Sequence, residues 1–467
     1  MTREVAMKPL IVVIPGIGGS ILADDDGRTV YTVKASTALA RCLDPQALDM
    51  DRSLHPVGLI PTFGACHPLL ITGYDRLMSR LTQVLGLSQA EVATARPDDP
   101  QPVRPDASLV AFPYDFRRSV AHNAEVLDQE IRRRAQGRPV VLVAHSMGGL
   151  VAASWWASLS DGIEVREIMT LGTPYLGATK ALEVLVNGAS ARGLPLPGPF
   201  NRVLRGWDSV FDLLPHWKAV GDGTGRLYPY QVAQAEQVVP GFQARAEAAY
   251  LANRALHQEL DAKAASMGGN PFTVYYTQGI PTLCRAVLTG DRLRTEKADL
   301  PGFGTGRHGG DGTVPATFAI PDFLEGTPRS WHRLKSKHGE LMEEGAVDGH
   351  VAGYGTSPVP AAIRGAEEHP AAYMCLDLND VVPAGQPQTV RITIEDASGQ
   401  ALDATDLRVV LTSMGEVPVE ADGEAWVAQI PPLKAGVHRL RAMAAGVSGG
   451  LALEEIVRVG VVPCLSE

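Results

Sequence analysis

Ser146 is the side chain of this sequence best placed to act as a nucleophile. It stands in Val140-Val-Leu-Val-Ala-His145-Ser146-Met147-Gly148-Gly149-Leu150, a buried-strand pattern that runs into a helix through small residues. A sharp strand-to-helix turn pushes a hydroxyl out of a sheet and sets the free N–H groups of a helix N-terminus beneath a forming oxyanion. Ala144 stands where the pattern G-x-S-x-G has its first glycine. The competing reading, a serine that only caps a helix, is outweighed by the strand before it and the Gly148-Gly149 pair after it. A serine needs a base and the base needs an orienting acid, in the chain order serine, acid, histidine for this kind of turn. Asp311, in His308-Gly-Gly-Asp311-Gly-Thr-Val-Pro315, sits in a glycine-rich turn and is favoured over Asp291 in Thr289-Gly-Asp-Arg292. Three histidines follow. His338, in Ser336-Lys-His-Gly-Glu-Leu-Met342, reads as a loop residue just before a short helix and is favoured as the base. His332 reads as a surface residue and His350 as part of a glycine-rich loop.

A second oxyanion donor is expected from the loop after the first strand, Pro15-Gly-Ile-Gly-Gly-Ser20, whose glycines let backbone amides face an O⁻. The same glycines raise the question of a nucleotide loop. That reading fails on the missing Lys-Ser/Thr and on Ile21 where G-x-G-x-x-G needs glycine, so no cofactor is expected. The five cysteines form no C-x-x-C pair, so no metal ribbon or dithiol motif is expected, and they read as buried thiols in a reducing compartment.

The elements that must position these groups follow from hydrophobic patterning. Leu10–Ile14, Ser108–Phe112, Pro139–Ala144, Glu167–Leu171 and Phe272–Tyr276 are short continuous apolar runs, as in strands buried on both faces. Between them Tyr74–Leu85, Asn123–Arg134 and Leu150–Leu159 carry helical spacing, giving an α/β layer architecture with a mostly parallel sheet and helices on both faces. Residues 177–270 break this rhythm and read as a helical cap inserted into a unit spanning 1–370. Residues 371–467 carry short alternating runs between turn residues, the pattern of an all-β, immunoglobulin-like sandwich. In the cap, Leu204, Trp207, Phe211 and Leu214 share a helical face. Trp207, Phe211 and Leu214 are candidates for a lid over a substrate pocket, or for transient contact with a membrane surface; packing of the cap against the core is the commoner use of such a stripe. The Arg132-Arg-Arg134 run reads as a solvated helix end.

Composition narrows the function classes. A net charge of −10 offers no positive field to hold nucleic acid and disfavours adsorption to an anionic bilayer. The apolar run at Leu10–Ile14 is too short for a signal peptide, and the expected location is cytoplasmic.

The motifs Pro15–Ser20, Phe112-Pro-Tyr-Asp-Phe-Arg117, Ala144–Gly149, Leu171-Gly-Thr-Pro174, Gly310–Pro315 and Lys337-His-Gly339 occur in one order over residues 8–345. Together they resemble the lecithin–cholesterol acyltransferase family, α/β-hydrolases that act on acyl esters of lipids. The resemblance implies an α/β-hydrolase fold, Ser146 as the acyl-accepting nucleophile with Asp311 and His338 as partners, and oxyanion donors at the backbone of Ile17 and Met147. It implies further that Tyr114–Arg117 supports the site from below, with Asp115 and Arg117 as an ion pair; Phe116 stands where the family has Trp. The expected function is a lipase, phospholipase or O-acyltransferase working through an acyl-enzyme, with a lipid or other acyl ester as substrate. The alternatives are a small-molecule carboxylesterase and a non-catalytic protein acting through the C-terminal β-unit. That unit is open to a protein partner, a glycan or a second copy of the chain, or to a purely stabilising role.

Overall fold

The computed structural model describes residues 8–32, 44–62, 73–96, 103–104, 106–191, 194–298, 309–324, 330–354, 373–378, 381–395, 401–402, 404, 406–411, 413–423, 425–446 and 451–460. The boundary expected near residue 370, His308, and Cys42, Cys66 and Cys464 lie outside them. Cys284 and Cys375 are buried.

The central sheet is built from β1 (Leu10–Ile14), β2 (Val92–Thr94), β3 (Leu109–Ala111), β4 (Val140–His145), β5 (Val165–Leu171), β6 (Phe272–Thr277) and β7 (Trp331–Leu334). Their spatial order is β7-β6-β5-β4-β1-β3-β2, and every neighbouring pair is parallel. The apolar runs are continuous because both faces are covered. Leu10, Val12 and Ile14 of β1 pack on one face with α2 (Val120–Ala135) and α3 (Met147–Ser158). Ile11 and Val13 point the other way, into a cluster with α1 (Asp75–Val84) and α8 (Gly345–Ala352). Strand order reverses between β1 and its neighbours β3 and β4. In open parallel sheets the crevice beyond the carboxyl ends at such a switch point is where ligands bind. The α/β-hydrolase expectation is met in this sheet, its two helical layers and the strand–turn–helix after β4.

Helix α2 begins at Ser119, whose Oγ accepts the His122 N–H at 3.2 Å, and ends at Gln136 with φ 48°. Its last turn meets the expectation of a solvated arginine run at Arg132 and Arg133, which are exposed, and departs from it at Arg134. Arg134 is buried and pairs with buried Glu130 one turn earlier at 2.7 Å, while Arg132 reaches Asp128 on the surface side.

Between β5 and β6 lie α4 (Thr179–Asn187), α5 (Gly198–Gly206), α6 (Asp208–Asp212) and α7 (Phe242–Met267). Helix α7, read from sequence as part of the cap, buries Phe242, Ala246, Ala249 and Leu260 in the same core as α3 and serves as the crossover helix to β6. A four-stranded sheet not apparent in the sequence joins Val220–Gly221 and Arg226–Leu227 of the cap to Arg285–Thr289 and Arg292–Glu296.

The C-terminal strands form a four-stranded and a five-stranded sheet around a core containing Val390, Ile392, Val409, Leu411, Ala428, Ile430 and Leu440. Lys297 reaches across to Asp377 at 3.3 Å. No described helix is long and apolar enough to cross a membrane, and no described group of three or more His, Cys, Asp or Glu could hold a metal ion.

The segment after β3 ties the core to the cap. The Arg117 guanidinium is fully buried and grips Asp115 with two bonds, Nε to Oδ1 at 2.9 Å and Nη2 to Oδ2 at 2.8 Å. Nη1 and Nη2 also donate to the Asp49 and Arg52 carbonyls, and the Arg117 carbonyl accepts the N–H groups of Asp208 and Ser209 at the start of α6. Such a charge stays buried because its carboxylate partner and these carbonyls engage all three guanidinium nitrogens. Arg117→Ala should therefore lower stability by about 3–5 kcal/mol, through an unpaired carboxylate and stranded carbonyls. Urea unfolding would read this directly; a loss below about 1 kcal/mol would show that the pair is dispensable.

Candidate active site

Register brings the site together at the carboxyl edge of the sheet. Ile14 of β1 is the partner of Ala144 of β4, so the loop starting at Pro15 and the turn at Ser146 leave the sheet side by side. A Cβ added to Gly16 would lie 2.8 Å from Ser146 Cβ and 3.3 Å from its Oγ, so only a glycine backbone can stand this close to the hydroxyl. Ser146 itself has φ 54° and ψ −127°, a conformation that L residues adopt at a cost, held by its N–H bond to the Leu171 carbonyl at 2.8 Å. Helix α3 starts at the next residue. Its close approach to β1 needs Gly148, where a Cβ would lie 2.4 Å from the Pro15 carbonyl oxygen and 2.8 Å from that of Ile14.

Three side chains distant in sequence converge here. His338 Nε2 lies 2.9 Å from Ser146 Oγ, and His338 Nδ1 lies 2.7 Å from Asp311 Oδ2. A carboxylate only accepts, so the imidazole proton sits on Nδ1 and the Nε2 lone pair faces the serine hydroxyl. Asp311 Oδ1 accepts the N–H groups of Thr313 at 2.9 Å and Val314 at 2.7 Å, which fixes the carboxylate. The carriers of both residues follow the sheet. Ile280, just past β6, forms bridges with Gly310 and Asp311; Thr277 at the end of β6 holds the Ser336 carbonyl at 2.7 Å; and the His338 N–H bonds the Asp311 carbonyl at 2.8 Å. Ser146 and Asp311 are 6% and 2% exposed, so the polar line lies under low-dielectric cover but opens to the surface at the His338 edge.

The rival residues lie elsewhere. Asp291 is exposed at the turn between Arg285–Thr289 and Arg292–Glu296. His332 lies in β7, stacked on Tyr275, rather than on the surface. His350 lies on α8 rather than in a loop, bonded through Nε2 to Glu167 at 2.7 Å and through Nδ1 to the Tyr275 hydroxyl at 2.8 Å.

Ile17 and Met147, the residues expected to offer oxyanion donors, lie in the turn after β1 and at the first position of α3. The first amides of a helix have no acceptor within it, so the Met147 N–H points out of the helix end by construction. Two buried tyrosines hold the Ile17 loop. The Tyr114 hydroxyl donates to the Pro15 carbonyl at 2.8 Å, and the Gly16 N–H donates to the Tyr74 hydroxyl at 2.7 Å. Burial raises both phenols above their ordinary range, which keeps them protonated donors. Tyr114 belongs to the recognised Phe112–Arg117 motif; Tyr74 had no local signal, because its role depends on where α1 is placed.

The cap stripe is not brought to Ser146 as an open face. Trp207 donates from Nε1 to the Leu48 carbonyl at 3.0 Å and meets Phe116 edge-to-face at 5.4 Å. Phe211 packs on Phe242 under the Arg245 guanidinium, which lies 3.8 Å from the ring centre, and Leu214 is 1% exposed. Phe116 encloses Trp207, Phe242 and Arg245 of α7 enclose Phe211, and all three residues belong to the main buried core. Of the two readings of the stripe, a lid or membrane-facing surface and packing of the cap against the core, its burial here is the second. Phe211 also lines a cavity of about 350 Å³ with Leu150, Asp212, Arg245 and Asn253, and Ser146 is not among its walls.

Gly148→Ala is expected to push the Pro15–Gly19 loop away from α3 and cost about 1–3 kcal/mol. Urea unfolding measures it, and unchanged stability would contradict the tight approach of α3 to β1.

Residues 102–223 match the family model of lecithin:cholesterol acyltransferase. A human protein described as lysosomal phospholipase A and acyltransferase is 36% identical over 95 residues, 19% of this chain and 23% of that one. Its counterpart from Rattus norvegicus is 35% identical over 95 residues, with the same shares. The chain thus spans about a quarter of the length of these curated relatives. Among solved structures, a Bacillus licheniformis lipase in its propeptide form is 11% identical with a TM-score of 0.34, covering 97% of this chain and 94% of that one. Its mature form has 14% identity and a TM-score of 0.31 over 73% and 89%. Scores this low carry no argument, and the fold rests on strand order and the turn at Ser146. The family match lies across β4, the Ser146 turn and the start of the cap, so over this stretch the chain is similar to lecithin:cholesterol acyltransferase, within a sheet and strand–turn–helix of α/β-hydrolase type.

Proposed function

We propose that this protein is a serine acyl-ester hydrolase or acyltransferase, with Ser146 as nucleophile, His338 as general base and acid, and Asp311 as the residue that orients His338. The observation that carries this reading is the unbroken line Asp311 Oδ2–His338 Nδ1 and His338 Nε2–Ser146 Oγ at 2.7 and 2.9 Å. His338 removes the Ser146 proton as Oγ attacks the ester carbonyl. The carbonyl oxygen takes the negative charge and is met by the amides of Ile17 and Met147. Collapse of the tetrahedral intermediate breaks the bond to the alcohol, which leaves with the proton from His338. Water or a second alcohol, deprotonated by His338, then releases the acyl group from Ser146 and restores the hydroxyl.

The substrate class is an acyl ester of a lipid. The support is the family match and the relatives described as phospholipase and acyltransferase. One observation favours a second reading, a carboxylesterase for small esters: the enclosed cap stripe offers no apolar face to an interface. A jump in rate as a lipid ester passes its critical micelle concentration separates the two.

Ser146→Ala should reduce ester turnover by roughly 10⁶-fold while the protein still folds. A fluorophosphonate probe should label Ser146; labelling of a different serine would remove the assignment. Asp311→Asn should lower kcat by about 10⁴-fold, since an amide no longer holds the Nδ1–H tautomer. An unchanged rate in that variant would send the orienting role to another acid.

A further inference from the structure

Behind the Ser146–His338–Asp311 line runs a second chain of buried polar groups that the mechanism above does not use. His145, the residue before the serine, is 7% exposed, with its ring centre 4.9 Å from that of His338. Its Nε2 lies 2.9 Å from the His338 carbonyl oxygen, and its Nδ1 lies 2.9 Å from the Tyr74 hydroxyl. That hydroxyl is also the acceptor for the Gly16 N–H at 2.7 Å, and Tyr74 is 3% exposed.

Only one proton arrangement satisfies all of these groups. A carbonyl oxygen only accepts, so His145 Nε2 carries the hydrogen. In a neutral imidazole Nδ1 is then the acceptor, so the Tyr74 O–H donates to it. The tyrosine oxygen is left with its lone pairs for Gly16. The neutral state is enforced by burial and by the His338 ring beside it, which together push the His145 pKa down to about 3. The result is a directional chain: Gly16 N–H to Tyr74 oxygen, Tyr74 O–H to His145 Nδ1, His145 Nε2–H to the His338 carbonyl. One end holds the loop that contains Ile17, the other holds the backbone of the base, and the middle is joined covalently to Ser146.

We infer that Tyr74 and His145 are positioning residues, which lock the oxyanion loop and the His338 loop at one fixed spacing about Ser146. This rests on the reading of Ser146, His338, Asp311 and the Ile17 amide given above. The three working parts come from three separate crossings of the sheet edge, after β1, β4 and β7, and no backbone ladder joins the first to the third. The Tyr74–His145 chain supplies that link. Its loss leaves the Gly16 N–H and His145 Nδ1 buried without partners, and lets both loops drift by the fraction of an ångström that reactive geometry does not tolerate.

The test uses the full chain and a p-nitrophenyl ester, with parent labelling at Ser146 by a fluorophosphonate measured first. Tyr74→Phe is expected to lower kcat by about 10- to 100-fold with KM within about twofold. Tyr275→Phe is the matched control. It deletes an equally placed phenol bonded to an imidazole Nδ1, that of His350, on the α8 side of the sheet, and its kcat is expected to stay within about twofold of the parent. The double variant Tyr74→Phe with His145→Gln is expected to fall no further than about threefold below the slower single variant, because both cut one chain. Should Tyr74→Phe not fold, His145→Gln against His145→Leu carries the test. The amide can still donate to the His338 carbonyl, so it should retain at least about tenfold more kcat than the leucine. Labelling at Ser146 with parent-like kcat in Tyr74→Phe, or an equal loss in Tyr275→Phe, would overturn the positioning role alone. Equal rates for His145→Gln and His145→Leu would do the same. Absence of labelling at Ser146 would overturn the underlying reading and this one with it.

Discussion

The site depends on one residue being held where side-chain-bearing residues seldom go. Ser146, at φ 54° and ψ −127°, turns the chain from strand β4 into helix α3 within a single residue. A conformation of this kind costs on the order of 1–3 kcal/mol and persists only where its surroundings over-determine it. Here they do. β4 is buried on both faces between β1 and β5, the Ser146 N–H is held by Leu171, and Gly148 lets α3 lie against the Pro15 carbonyl. The return on that strain is geometric. The hydroxyl stands clear of the sheet while the amide after it points the same way from the helix end.

The same constraint explains why so much polarity is buried around the sheet edge. Asp311, Tyr74, Tyr114, His145 and Arg117 are all nearly inaccessible, and each is tied to backbone or to another of its kind. Buried polar groups are costly when half satisfied and rigid when fully satisfied. The network holds loops whose backbone has no ladder of its own. Arg117 extends the scheme to the cap by accepting the first N–H groups of α6 on its carbonyl while neutralising Asp115. Trp207 then closes on Phe116, so the cap is an extension of the core rather than a separate lid.

Much of this was legible along the chain. Continuous apolar runs identified the buried strands, because a strand covered on both faces has no polar alternation to show. Ser146 announced itself through a strand, small residues and a helix in immediate succession, and Asp311 and His338 through glycine-flanked turns in the expected order. Periodicity was less reliable where a feature depended on its neighbour. Arg134 looked solvated but lies against Glu130. His350 looked like a loop residue but sits on α8 against Glu167. The stripe at Trp207, Phe211 and Leu214 was visible as apolar, and nothing in its spacing said which surface it would meet.

The sequence by itself determined what is local: which segments are strands and helices, where a serine can stand at a turn, and which short motifs carry an acid and a histidine. Local backbone preference and hydrophobic period are written in consecutive residues, so they can be read there. The tertiary structure alone decided which residues meet: Ser146 with His338 and Asp311, Tyr74 with His145 and Gly16, Trp207 with Phe116. These contacts follow from strand order and register, and pairing across a parallel sheet is set by burial of whole faces, a property of the assembled layers that no single segment contains.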